Sequence, residues 1–179
     1  MRRVIIGAIA MVLGVIARPT TALAQCTASG APANCGLPGS VSMTAGRVVR
    51  LQMSASSTSL TAPTTADFDA GFNSTTGPTV TVSANAAWTL HIRAASALWT
   101  ATNTSPTAPA RTNKPAADLM WSTAVGGGFA ALSTSDASLV GGVATAGNAT
   151  TLYFQTLYDW ALDTPGNYSL SVVLTLTSP

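Results

Sequence analysis

Glutamate is absent from this chain of 179 residues, histidine occurs once, as His91, and cysteine only twice. Charged side chains make up 8% of it, eight Lys or Arg against six acids that are all aspartate, where soluble domains carry about 25%. Each scarcity excludes something. Long amphipathic helices need Glu, Lys and Arg on their wet faces, so a helical bundle is ruled out. Nucleic-acid binding needs clustered cations, and none are clustered here. Metal centres and acid–base catalysis draw on His, Cys, Glu and Asp, of which only aspartate is present in any number. The composition points to an exported, non-catalytic domain that works without a cofactor.

The first residues read as an address. Met1-Arg2-Arg3 is a short positive region, and an apolar run from Val4 to Ala17 follows it. The break at Arg18-Pro19 leads to Ala22-Leu23-Ala24, whose small residues suit signal-peptidase cleavage after Ala24. The run is shorter than the roughly 20 residues a spanning helix needs, so no membrane insertion of the mature chain is expected. Leu23-Ala24-Gln25-Cys26 has a second reading as a lipoprotein box. However, Gln25 stands where such boxes carry Gly, Ala or Ser, and lipidation of Cys26 would leave Cys35 unpaired. Loss of residues 1–24 removes three arginines, leaving five basic residues against six acids and a formal charge of −1. No basic surface then remains to attract nucleic acid or an anionic bilayer. The expected location is secreted, periplasmic or at the cell surface. An even pair of cysteines in an exported chain reads as a disulfide, Cys26 to Cys35, closing a small loop.

Residues 25–40 are small, polar and rich in Gly and Pro, as in an N-terminal arm. Beyond them the hydrophobic period is two. Val49, Leu51 and Met53 alternate with polar residues, as do Val80 and Val82, then Trp88, Leu90 and Ile92, and Leu152 and Phe154. The longest run is Tyr168, Leu170, Val172, Leu174 and Leu176. Serine and threonine supply the wet faces, which suits strands because threonine is β-branched. Turn clusters are expected at Asn73–Pro78, Asn103–Pro115, Gly126–Gly128, Gly141-Gly142 and Asp163–Asn167, with Asn103–Pro115 a long exposed loop. The resulting fold class is all-β, an antiparallel Ig-like β-sandwich of about seven to nine strands. Its organisation is a leader over 1–24, an arm with a disulfide loop over 25–45, and the sandwich over 46–179.

Pro165-Gly166-Asn167-Tyr168 and the alternating strand that follows resemble the terminal strand of spore-coat-U-like and related fimbrial subunits, which are secreted bacterial β-sandwiches. Asn85-Ala86-Ala87-Trp88-Thr89-Leu90 is similar to the Asn-x-x-Trp-x-Leu strand of bacterial surface domains. The early cysteine followed by a Phe-Gly pair, usual in spore-coat-U-like proteins, is missing. The resemblance implies a structural or adhesive surface subunit that associates with itself or with other surface subunits by strand addition. Val41, Met43 and Ala45 alternate with Ser42 and Thr44, as such an arm requires; they also read as the first strand of a complete domain.

Four other features carry chemistry on paper. Asp67, Asp69 and Asn73 space oxygen ligands around Gly71 as a calcium loop would, without the bidentate Glu such loops use; an Asp-rich turn whose carboxylates accept backbone N–H bonds is the simpler reading. Asp159 and Asp163 pair as glycosidase carboxylates do, but turn capping is the simpler reading. His91 falls on the polar face of its strand, with no Gly-x-Ser-x-Gly elbow in the chain. Trp99, Trp121 and Trp160 are candidates for sugar stacking if exposed, and for the core if not. An extracellular carbohydrate- or calcium-binding module is therefore the alternative function.

Overall fold

A computed structural model describes residues 26–27, 29–31, 35–37, 40–104 and 106–179. The leader expected over 1–24 lies outside the described residues. The chain divides into two compact units, residues 1–44 and 45–179. In the first, the described residues form no helix or strand, and Cys26 and Cys35 are joined in a disulfide with Cα atoms 5.8 Å apart.

The second unit is all-β. Its strands are β1 (Val49–Met53), β2 (Phe72–Ala84), β3 (Trp88–Ala94), β4 (Thr100–Asn103), β5 (Leu119–Ser122), β6 (Ala130–Ala131), β7 (Ala137–Gly142), β8 (Thr145–Leu157), β9 (Gly166–Ser169) and β10 (Val172–Thr177). One short helix, α1 (Thr65–Ala70), and a 3-10 turn at Ala116–Asp118 complete it. Every pairing is antiparallel. A five-stranded sheet runs β1-β2-β8-β5-β6, a three-stranded sheet β10-β3-β7, and β4 pairs with β9. The number of strands exceeds seven to nine because the β4–β9 pair and the two-residue β6 carry almost no hydrophobic period.

Alternation places the core. Trp88, Leu90, Ile92 and Ala94 of β3 face Val80, Val82 and Ala84 of β2 and Leu152 and Phe154 of β8, joined by Leu119, Trp121 and Leu132. Each fully buried Val, Leu or Ile contributes about 1.5–3 kcal/mol. The polar partners of that alternation, among them Thr89, His91 and Arg93, lie half-buried on the outer face.

Two expected turns, and the end of a third, are instead strand. Asn73–Pro78 forms the first half of β2, paired with β8 from Phe72↔Leu157 to Thr76↔Tyr153. Its glycine and proline have local reasons. A Cβ on Gly77 would sit 2.6 Å from the Phe154 ring, so only glycine lets that ring cover the strand. Pro78 falls in the register shift between Thr76 and Thr79, where a ladder donor is not required. Gly141-Gly142 ends β7 beneath Trp88, whose carbonyl and ring would lie 3.1 and 3.2 Å from added Cβ atoms. Gly166-Asn167, the end of the turn expected over Asp163–Asn167, opens β9. The long terminal run is divided at Leu170-Ser171, where the chain leaves β4 as its partner for β3.

Candidate functional site

The sandwich is open along one flank. Val172, Leu174 and Leu176 of β10 stand in register with Ala94, Ile92 and Leu90 of β3 and so face inward. The β3 residues are 0% exposed, whereas their β10 neighbours are only partly buried. The five-stranded sheet behaves the same way. Val49, Leu51 and Met53 of β1 pair with Ala84, Val82 and Val80. Val80 and Val82 are 1% exposed, while Met53 is 43% and Val49 39% exposed. β1 and β10 are the terminal strands of their sheets and make contact with each other, and Leu51 and Met53 of one row and Val172 and Leu174 of the other border one cleft. Its volume is about 740 Å³, with Leu51, Met53, Leu152, Phe154, Val172 and Leu174 among its lining residues.

The segment after β1 lies across this cleft. Ser54 is bonded to Thr79 through backbone and hydroxyl, at 2.9 Å each. Residues 55–60 then line the cleft, and Leu60 packs against the core. Among the described residues, no hydrogen bond involves residues 55–63, so nothing in this segment completes either sheet.

At the other end of β1, Asn85 grips the chain. Its Oδ1 accepts from the Val48 N–H at 2.8 Å, its Nδ2 donates to the Gly46 carbonyl at 2.8 Å, and its backbone N–H donates to the Val48 carbonyl at 3.2 Å. Upstream, residues 40–48 form no regular structure; Val41 is fully exposed, Met43 88% exposed, and Ala45 exposed. The Asn-x-x-Trp-x-Leu pattern thus has two jobs. Asn85 holds the base of the arm, while Trp88 and Leu90 enter the core and the Trp88 indole donates to the Val143 carbonyl at 2.8 Å. Sequence reasoning noted the pattern but not the grip, because an asparagine's backbone partner 37 residues away leaves no local signal.

A second polar assembly lies in the stretch expected to be a long exposed loop. Ala110 and Lys114 are instead buried there, Lys114 to 3%. Lys114 Nζ donates to Asp163 Oδ1 at 2.9 Å, to the Leu157 carbonyl at 2.9 Å and to Asp118 Oδ2 at 3.3 Å, and lies 5.5 Å from the Tyr158 ring centroid. Arg111 reaches the same two carboxylates at 3.0 and 3.3 Å. The Tyr168 hydroxyl accepts from the Arg111 backbone N–H at 2.9 Å and donates to the Thr164 carbonyl at 2.6 Å, as in a tyrosine corner. Burial acts to raise the Asp163 pKa, but the bonds from Lys114 and Arg111 outweigh it and hold the carboxyl below the ordinary range. Burial pushes the Tyr158 phenol up. The assembly is a clamp, in which Lys114 and Arg111 together hold the carboxylates of Asp118 and Asp163.

The remaining sequence candidates fall as follows. Asp67 caps α1, its Oδ2 accepting from the Thr64 N–H and hydroxyl at 2.7 Å each. Those two bonds, with help from the Asn73 side chain, lower its pKa. Asp69 Oδ1 accepts from the Trp160 indole at 3.1 Å. Among the described residues, no group of three or more His, Cys, Asp or Glu could hold a metal ion. Asp159 Oδ1 accepts from the Ala161 and Leu162 N–H groups, and Asp163 Oδ2 from that of Asp159, so this pair caps its own turn. Trp99 and Trp121 are buried in the core and Trp160 is exposed. Among the described residues, no helix is long and apolar enough to cross a membrane. No protein-family model matches the chain, and no curated protein matches it either.

Proposed function

We propose that the protein is an exported structural or adhesive subunit of a bacterial surface, and that it assembles by strand addition. In this reading the alternating residues Val41, Met43 and Ala45 of one copy enter the cleft between β1 and β10 of another copy, or of a related surface subunit. A five-residue strand spans about 17 Å, the length of β1 itself. The incoming backbone pairs with a free strand edge, and its alternate side chains cover Met53, Leu174 and their neighbours. No bond is made or broken, so this function involves no catalysis and no cofactor. The single observation that carries it is the loss of cover from β3 to β10 and from β2 to β1, on inward faces that the register places in the core. The disulfide and the apolar leader agree with an oxidising, extracytoplasmic setting.

The test is light scattering with size separation, and electron microscopy, on the purified protein and on the double variant Val41→Ser/Met43→Ser. Oligomers or filaments in the parent that are lost in the variant, with its thermal unfolding unchanged, are the expected result. A parent that stays monomeric at every concentration, even after mild denaturant loosens residues 55–60, overturns the proposal.

A further inference from the structure

The end of the sandwich formed by α1 and the turn after β8 carries an aromatic surface that strand addition does not use. Trp88, Trp99 and Trp121 are at most 8% exposed, but Trp160 is 60% exposed. It is nevertheless fixed. Its ring stacks on Phe68 with centroids 4.6 Å apart and planes at 30°, and Phe68 in turn leans on Tyr158 at 5.3 Å. Its Nε1 donates to Asp69 Oδ1, and the turn carrying it is tied by Asp159 and by Asp163, the latter anchored in the Lys114 clamp. An exposed indole held by stacking and a hydrogen bond has little rotational freedom left to lose when a ligand covers it.

We infer that the Trp160 face, rimmed by Asp69, is a binding platform for a neutral pyranose ring of a glycan. One side of the indole is occupied by Phe68, so a single open face remains. That shape fits the flat C–H face of a sugar ring; a quaternary ammonium ion is held by aromatic walls on several sides. The polar rim is the exposed carboxylate of Asp69, whose second oxygen has no partner among the described residues. Carboxylates only accept hydrogen bonds, which suits sugar hydroxyls and repels phosphate-bearing or acidic ligands. The proposal does not depend on the cleft between β1 and β10.

The test uses calorimetry and the indole N–H signals of the intact protein, titrated with cellohexaose, N-acetylchitohexaose and maltohexaose. The expected result is a saturable shift of the Trp160 signal with at least one of them, the signals of the three buried tryptophans staying still. Trp160→Ala abolishes the heat of binding, Trp160→Phe retains part of it, and Asp69→Ala, which removes both a sugar acceptor and the indole's anchor, weakens it by at least about fivefold. Unchanged buried-indole signals in each variant report that it is folded. No saturable shift with any of the three sugars overturns the proposal. So does a Trp160 signal that moves with protein concentration alone, which would assign the face to a second copy.

Discussion

Lys114 shows how much one side chain can hold together in a protein with so few charges. It joins the 109–118 segment to the end of β8 and to the turn before β9 through three acceptors. Its removal leaves Asp163 and Asp118 facing Arg111 alone, so Lys114→Ala is expected to cost about 1–3 kcal/mol in urea unfolding. Acid attacks the same point. Asp163 has a depressed pKa in the folded state, so its contribution is present above the ordinary carboxylate range and is lost as pH falls through the depressed value. Asp67 adds to the trend with the same sign. Thermal midpoints should be flat from neutrality to about pH 5 and fall below about pH 4, and Asp163→Asn should flatten that fall. The tryptophans offer a paired comparison. Trp121 Nε1 is buried without a partner among the described residues, whereas Trp88 Nε1 is bonded to the Val143 carbonyl. Trp88→Phe should therefore cost about 1 kcal/mol more than Trp121→Phe by chemical denaturation.

At the scale of the element, β3 was the most legible part of the chain, since Trp88–Ala94 keeps its period of two throughout and lies between two partners. β2 was half hidden. Asn73, Gly77 and Pro78 have turn chemistry, and only pairing with a strand some 80 residues away makes them extended. Gly77→Ala tests that explanation: the new methyl meets the Phe154 ring and the Leu152 carbonyl, and a loss of about 1–3 kcal/mol is expected from overpacking. The clamp was hidden for a similar reason. Arg111, Lys114, Asp118 and Asp163 are scattered through Pro-rich segments that read as solvated, and their meeting is set by the fold rather than by spacing. The cleft was legible only as its two borders: the alternation of β1 and β10 could be read, but their place at the ends of two sheets could not. Ile92→Ala, inside β3, should cost about 2–5 kcal/mol. Leu174→Ala, one strand outward, should cost distinctly less in the isolated protein because its side chain is already part-exposed.

For the whole molecule, sparse charge decides how association responds to conditions. The inward residues bordering the cleft are apolar, and residues 25–179 carry five basic residues against six acids. Raising NaCl from about 0.1 M to about 1 M shortens the Debye length from ~10 to ~3 Å, which weakens exposed charge pairs and leaves apolar burial intact. Assemblies formed through the cleft should keep their elution position across that range, and a steep salt dependence would point to another surface.

The grip of Asn85 on Gly46 and Val48 also has a mechanical side. A pull along the arm arrives first at that side chain and then runs down β1, whose ladder bonds to β2 lie crosswise to the strand. Load in that direction shears the five paired positions together instead of peeling them one by one.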